Sequence, residues 1–159
     1  MSARTRPPLL LLRGQEAYAD YEKEFRLRYQ NHFVNDILGN RILFREHMCR
    51  HVCFKPVEKD RYKQGEREIW VQERAEHIPW ILAALSDPGT EIYPNEQNPY
   101  NRVNYLLNVE GDPENNLKRE YFCVVAEWID DKSASFITGF PVDRLYWQKC
   151  RRVPGRMYP

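Results

Sequence analysis

The stretch RVNYLLNV at residues 102–109 decides the fold class. Apolar and polar side chains alternate along it, which is the two-residue period of a strand with one buried and one exposed face. The apolar side chains are Val103, Tyr105, Leu107 and Val109, and the polar ones are Arg102, Asn104 and Asn108. A second alternating run covers residues 120–129 and a third covers 134–140, each after a short turn-like segment. Consecutive strands with short connections predict an antiparallel meander.

Helical periodicity dominates the residues before this meander. Aromatic residues recur every three or four positions between Gly14 and Gly39, which predicts one long helix that ends at Gly39. The aromatic stripe consists of Tyr18, Tyr21, Phe25, Tyr29 and Phe33. Helices followed by an antiparallel sheet predict an α+β fold class.

A second helix is predicted by the sequence QERAEHIPWILAALSD at residues 72–87. Its expected buried face consists of Ala75, Ile78, Leu82 and Leu85. Pro79 has no backbone donor and is therefore expected near a helix start or a kink. Between the two helices, Arg41–Phe44 predicts a short extended segment, and Lys55–Arg67 predicts a loop or a frayed helix.

The length of 159 residues is that of one ordinary domain and allows a buried core without disulfides. We expect a basic flexible N-terminal segment at residues 1–13, a single α+β domain at 14–143 and a basic tail at 144–159. The apolar run Leu9–Leu12 is too short for a membrane span or a signal sequence, so we expect a cytoplasmic protein without membrane contact. The four cysteines are then expected to be reduced and buried.

Basic residues are concentrated at the two ends of the chain. Residues 1–13 carry three arginines and residues 144–159 carry five basic side chains, without an acid in either segment. The residues between them hold 16 basic and 23 acidic side chains, a net charge of −7. Basic ends suit contact with a polyanion, since lysine and arginine bind phosphates whatever the base sequence. Solubility, or pairing with the acidic body, explains the same pattern equally well.

The stretch REHMCRHVCF at residues 45–54 holds the densest group of reactive side chains. Its histidines, His47 and His51, can accept and donate protons near neutral pH. Its arginines, including Arg50, favour an anionic substrate such as a phosphate. Zinc binding is the alternative, because Cys49 and Cys53 are interleaved with the histidines, although structural zinc sites usually have closer cysteine pairs.

Four short pieces of the chain resemble the phage-associated members of the nuclease superfamily that includes barnase, the EndoU nucleases, certain colicins and RelE. They are HVCF at 51–54, ERAEHIPWI at 73–81, REYFCVVAEW at 119–128 and SFITGFP at 135–141. The resemblance covers residues 40–143 and implies N-terminal helices followed by a four-stranded antiparallel sheet. It also implies a metal-independent, cofactor-free ribonuclease or toxin acting on RNA such as tRNA or mRNA, with a cognate inhibitor protein as a further partner.

Metal-independent RNA cleavage needs a general base for the 2′-hydroxyl, a general acid for the leaving 5′-oxygen and a cation for the phosphoryl oxygens. His51 lies in the resembling motif and is the preferred acid–base residue. His47 precedes it by one helical turn. The predicted catalytic set is His51, His47, Arg102 and Thr138.

Substrate binding is assigned to Arg74 and Arg50, whose guanidinium groups fit phosphate, and to Tyr105, whose ring can stack on a base. Two of these residues have a structural alternative: a salt bridge for Arg74 and core packing for Tyr105. Thr138 is expected to share the face of Phe136 and Phe140, where a cross-strand hydrogen bond is the alternative to a role in the site.

Walker, Rossmann, zincin and nucleophile-elbow motifs do not occur in the sequence. Two hypotheses remain. The first is a metal-independent ribonuclease, and the second is a catalytically inactive RNA- or protein-binding module of the same fold.

Overall fold

The computed structural model describes residues 6–29, 33–45, 47–57 and 68–152. The helices are α1 (Tyr18–Tyr29), α2 (Met48–Cys53), α3 (Gln72–Glu76), α4 (Ile78–Ser86) and α5 (Arg144–Arg151). The strands are β1 (Phe33–Asn35), β2 (Arg41–Leu43), β3 (Phe54–Pro56), β4 (Glu68–Trp70), β5 (Glu91–Pro94), β6 (Arg102–Val109), β7 (Glu120–Trp128) and β8 (Ser133–Val142).

The α+β class and the antiparallel meander of β6, β7 and β8 are confirmed. These strands belong to a six-stranded sheet in the order β1-β2-β8-β7-β6-β5. All neighbours are antiparallel except β2, which runs parallel to β8. The sheet is therefore larger than the four-stranded one that the resemblance implies, and β3 and β4 form a separate small ribbon.

One face of the sheet, here called the core face, is covered by α1, α2, α3 and α4. The alternating side chains predicted for β6 and β7 point into this core, as does most of the aromatic stripe. Burying each large apolar side chain contributes about 1.5–3 kcal/mol, so this cluster is the main source of stability. The largest of its fully buried side chains are Trp80, Tyr21, Tyr29, Tyr105, Phe25, Phe122 and Phe136.

The prediction of one helix as far as Gly39 is wrong. Helix α1 ends at Tyr29 and the next described residues form β1, which pairs with β2 across a turn. Asp36 stabilises this turn by accepting hydrogen bonds from the backbone and side-chain nitrogens of Asn40, at 2.8 and 3.0 Å. Gly39 has a φ of 85° in the turn, so its left-handed conformation serves a hairpin and does not cap a helix.

The second predicted helix exists but is divided at His77 into α3 and α4. Pro79 lies in the first turn of α4, as expected. Leu82 is 47% exposed although the sequence pattern predicts it to be buried, and Ile81 is buried in its place. The interruption at His77 changes the rotation of α4 relative to α3, so a single helical period does not describe both.

Most of the predicted loop Lys55–Arg67 lies outside the described residues. Lys55 and Pro56 are extended in β3, and residues 95–101 form a loop between β5 and β6. Strand β5, which contains Pro94, was not predicted. In the described part of the chain, no helix combines the length and apolar character that crossing a membrane requires.

The opposite side of the sheet, here called the second face, is covered by α5. Residues assigned to a basic tail thus form a helix whose Tyr146, Trp147 and Cys150 pack on the strands. Asp143 caps the helix by accepting a hydrogen bond from the Tyr146 backbone nitrogen at 2.7 Å. All four cysteines are free and buried, and two of them, Cys123 on β7 and Cys150 on α5, pack together in the cluster of the second face.

An irregular register in β8 determines which of its side chains reach the second face. Thr138 pairs with Val125 and Phe136 pairs with Ala126, so Ile137 is an extra residue that forms a β-bulge. Phe136 therefore points into the core, while Phe140 lies on the second face. The prediction that Thr138 shares a face with both phenylalanines is wrong for Phe136.

Candidate functional site

Helices α2 and α3 pack against the outer edge of β8, along the part of the strand that does not pair with β2. Strand β2 pairs only with Ser133–Ser135, and α2 and α3 pack against the strand beyond that point. The hydroxyl of Thr138 donates a hydrogen bond to the backbone oxygen of His51 at 2.9 Å. This bond fixes α2 against the edge of β8, so two residues of the predicted catalytic set are neighbours.

The sequence of α2 separates its apolar and reactive side chains. Cys49, Val52 and Cys53 are buried, whereas His51 and Arg50 are exposed. An amphipathic helix of this kind presents the His51 imidazole to solvent, where it can exchange protons.

The separation of buried cysteines from exposed histidines argues against a zinc site made of both residue types. The sulfur atoms of Cys49 and Cys53 lie 3.9 Å apart inside the protein, while His47 and His51 are exposed. The contact with the Cys53 thiol, together with burial, raises the pKa of the Cys49 thiol, which disfavours the thiolate that zinc needs. Within the described ranges, no three His, Cys, Asp or Glu side chains are grouped as metal ligands.

Arg74 reaches the second face from α3. Its guanidinium carbon lies 4.8 Å from the centre of the Phe140 ring, and the Tyr146 ring meets the Phe140 ring edge-on at 5.8 Å. Among the described residues, no carboxylate lies within ion-pair distance of Arg74. Burial lowers the pKa of the Arg74 guanidinium, which means that its charge is poorly solvated. An anion bound here would compensate that charge.

These residues form one compact group, here called the β8-edge site: His51, Arg74, Thr138, Phe140 and Tyr146. Thr138 and Phe140 are two residues apart on the same face, a distance of about 7 Å along a strand. The Arg74 guanidinium lies over Phe140. The hydroxyl of Thr138 bonds the backbone oxygen of His51. The site therefore combines a cation, an exposed imidazole and two aromatic rings.

Arg102 lies on the same sheet face but outside the β8-edge site. It pairs with Glu127 on β7, its Nε atom lying 3.4 Å from the Glu127 carboxylate. Strand β7 lies between β6 and β8, so the backbones of β6 and β8 are about 10 Å apart. Arg102 is thus occupied by an acidic partner and does not meet Thr138.

Three further predicted residues lie elsewhere. His47 is exposed at the N-terminus of α2. Arg50 forms an ion pair with Glu68 and stacks over the Phe54 ring at 4.4 Å. Tyr105 is fully buried and donates a 2.6 Å hydrogen bond to Asp36, so its role is core packing and it cannot stack on a substrate base.

Sequence reasoning missed the two aromatic members of the site. The sequence placed Phe140 only as a neighbour of Thr138 on one strand face. Phe140 nevertheless provides the surface on which Arg74 lies. Tyr146 belongs to a segment predicted as a tail, and no signal in its sequence connected it with the sheet.

Comparison of this chain with models of known protein families, with curated proteins and with solved structures yields no match.

Proposed function

We propose that the protein is a metal-independent endoribonuclease that binds a phosphate of RNA at Arg74 and cleaves the chain with His51. The observation that carries this proposal is the β8-edge site. A poorly solvated guanidinium without an acidic partner among the described residues lies over Phe140, two residues along β8 from Thr138, whose hydroxyl bonds the backbone of the exposed His51. A partly buried cation without a counter-ion carries a desolvation cost, and an anionic substrate that acts as the counter-ion offsets part of this cost.

Phosphate binding is the role of Arg74. Its planar guanidinium can hold two phosphate oxygens at once, and it remains charged at any relevant pH. The Phe140 ring packs against this guanidinium, with 4.8 Å between the guanidinium carbon and the ring centre. Negative charge that develops on the phosphoryl oxygens is stabilised by the same group, which is the largest contribution that such sites usually make.

Proton transfer is the role of His51. As a general base it accepts the proton of the substrate 2′-hydroxyl, whose oxygen attacks the adjacent phosphorus. The 5′-oxygen leaves with a proton from a general acid, for which His47 is the nearest exposed imidazole in sequence. The Thr138 hydroxyl already donates its hydrogen to the His51 carbonyl, so we assign Thr138 to positioning α2 and not to proton transfer.

Incubation of the purified protein with total RNA in excess EDTA tests the proposal. We expect discrete fragments that end in 2′,3′-cyclic phosphate. Replacement of His51 by alanine should lower the rate by about 10²–10⁴-fold, the usual contribution of a positioned acid or base. Circular dichroism should be unchanged, because the His51 side chain is exposed.

Two arginine variants form a matched pair for the binding step. Arg74→Gln should weaken the binding of a fluorescently labelled single-stranded RNA, measured by anisotropy. Arg26→Gln removes an exposed arginine of α1 that pairs with Glu22, and should leave RNA affinity unchanged. Equal losses in both variants would mean that binding depends on net charge alone and would contradict the assignment of Arg74.

A non-catalytic RNA-binding module is the second candidate. It is favoured by the engagement of Thr138 with a backbone carbonyl and of Arg102 with Glu127, which leaves fewer groups for catalysis. RNA binding that requires Arg74, without cleavage and without an effect of His51→Ala, would identify this alternative. Absence of both binding and cleavage would contradict both candidates.

A further inference from the structure

The N-terminal segment at residues 6–12 lies along α3, the short helix that carries Arg74. The backbone nitrogen of Leu10 donates a 2.8 Å hydrogen bond to the backbone oxygen of Glu76. The backbone oxygen of Leu12 accepts a 2.9 Å bond from the side chain of Gln72. The segment thus contacts the first and the last residue of α3.

His77 immediately follows α3 and is almost completely buried. Its Nδ1 atom lies 2.6 Å from the backbone oxygen of Glu73, so the ring is bonded to the last turn of the helix. Its Nε2 atom lies 3.6 Å from the carboxylate of Glu120 and has no hydrogen-bond partner. The rings of Trp80 and Phe122 enclose the imidazole at 4.7 and 5.8 Å.

Arg6 contacts the Glu120 carboxylate through the oxygen that does not face His77. Its guanidinium forms an ion pair with Glu120 and donates hydrogen bonds to the backbone oxygens of Glu110 and Lys118 at 3.0 and 2.8 Å. It also lies 5.9 Å from the centre of the Trp80 ring. Glu120 is consequently placed between Arg6 of the N-terminal segment and His77 at the end of α3.

A helix of five residues needs such external contacts. Isolated helices of this length are unstable, and their terminal carbonyl groups have no partner within the helix. In α3 the carbonyls of Glu73 and Glu76 are bonded by His77 and by Leu10. The contacts that complete the helix therefore come from the N-terminal segment and from His77, whose other ring nitrogen faces Glu120.

We infer that the N-terminal segment is a brace that positions α3 and so holds Arg74 over Phe140. Arg6, Glu120 and His77 are positioning residues, because they act on the β8-edge site only through α3. Release of residues 6–12 withdraws Arg74 from the phosphate position and lowers RNA affinity. The expected loss of RNA affinity rests on the proposed function, whereas the expected movement of Arg74 does not.

The inference is tested by the side-chain NMR signal of Arg74 in the full-length protein. A guanidinium over an aromatic ring experiences the ring current, so we expect a shifted Hε resonance in the wild type and in Arg26→Gln. In Arg6→Gln and in Glu120→Gln the resonance should move toward the position of a solvated arginine. Arg6→Lys, which keeps the charge next to Glu120, should restore part of the shift.

Hydrogen exchange and RNA binding provide the remaining readouts. Amides of residues 72–77 should exchange at least about fivefold faster in Arg6→Gln, as expected for the loss of about 1 kcal/mol of local stability, while those of α1 remain unchanged. RNA affinity should fall by about fivefold, the lower end of typical coupling between sites. The double variant Arg6→Gln/Glu120→Gln should lose less than the sum of the two single variants, because both remove the same ion pair.

An unchanged Arg74 resonance in folded Arg6→Gln, or unchanged exchange in α3, would overturn the inference whatever the RNA result. Equal acceleration of exchange in α3 and α1 would also overturn it, since it would indicate general destabilisation. If the resonance moves as expected but the wild type binds no RNA, the brace stands and the proposed function fails.

Discussion

The two faces of the central sheet differ in how they are covered and in what they expose. The core face is packed by four helices and its strand side chains are almost entirely apolar and aromatic. Among the described helices, α5 is the one that covers the second face, which includes Arg102, Glu127 and Thr138 together with a smaller apolar cluster. The comparison teaches that stability is concentrated on one face of the sheet, which leaves the other face with side chains suited to binding and chemistry.

Replacement of Phe136 by alanine should have the largest effect on stability. Phe136 is fully buried on the core face, where it stacks on Phe44 at 4.8 Å. Removing a buried phenylalanine costs about 3–5 kcal/mol, because apolar contacts are lost and a cavity remains. Urea unfolding followed by circular dichroism measures this loss.

Phe140→Ala is the matched control for Phe136→Ala, since both residues lie on β8 but on opposite faces. Phe140 is partly exposed, so the stability lost should be clearly smaller, while the support of Arg74 and with it RNA affinity should decrease. If both variants lost the same stability, the contrast between the two faces would be wrong.

Replacement of Tyr105 by phenylalanine removes a polar contact inside the core face. The Tyr105 hydroxyl donates a 2.6 Å hydrogen bond to Asp36, which also organises the turn between β1 and β2. A hydrogen bond to a carboxylate contributes about 1.5–3 kcal/mol, and we expect a loss in this range in urea unfolding. Because Tyr105 lies outside the β8-edge site, RNA cleavage by the folded variant should equal that of the wild type. A selective loss of activity would restore Tyr105 as a substrate-binding candidate.

Alkaline pH should destabilise the fold through buried tyrosines on both sides of the sheet. Burial raises the pKa of Tyr29, Tyr105 and Tyr146 above the ordinary value near 10. The folded state therefore keeps protons that the unfolded state releases. The stabilisation is complete below pH 10 and decreases as the pH rises further, by about 1.4 kcal/mol per pH unit for each tyrosine.

The difference between wild type and Tyr105→Phe isolates one of these tyrosines, because contributions from the cysteines and the other tyrosines cancel. Urea unfolding between pH 9 and pH 11 should show a slope that is shallower in the variant by about half a proton on average, approaching one proton toward pH 11. Identical slopes would mean that the Tyr105 phenol titrates equally in the folded and unfolded states.

The sequence predicts best where one simple period continues without interruption. Strands β6 and β7 alternate regularly between two faces, and the aromatic residues of α1 recur at helical spacing, so these elements were identified. The turn that begins at Asp36 and the division of the helix at His77 depend on local hydrogen bonds that no periodicity reveals. The six-stranded order was also missed, because β2 pairs with β8 across about ninety intervening residues.

The site was less predictable than the fold. His51, Thr138 and Arg74 could be proposed from their residue types, but their grouping depends on the bulge at Ile137 and on the end of β2, both of which are tertiary features. Arg102 illustrates the opposite case. Its position on the polar side of β6 was evident, whereas the partner that neutralises it comes from β7.

Arg102→Gln should have the smallest effect on stability. The side chains of Arg102 and Glu127 are 38% and 42% exposed, and exposed ion pairs contribute about 0–1 kcal/mol because water and salt screen them. Urea unfolding of the variant should therefore be almost unchanged. RNA affinity should fall less than in Arg74→Gln, because the charge of Arg102 is already balanced by Glu127. If Arg102→Gln reduced RNA affinity as much as Arg74→Gln, the binding surface would extend from the edge of β8 across the open part of the second face, and the division between a β8-edge site and its surroundings would be wrong.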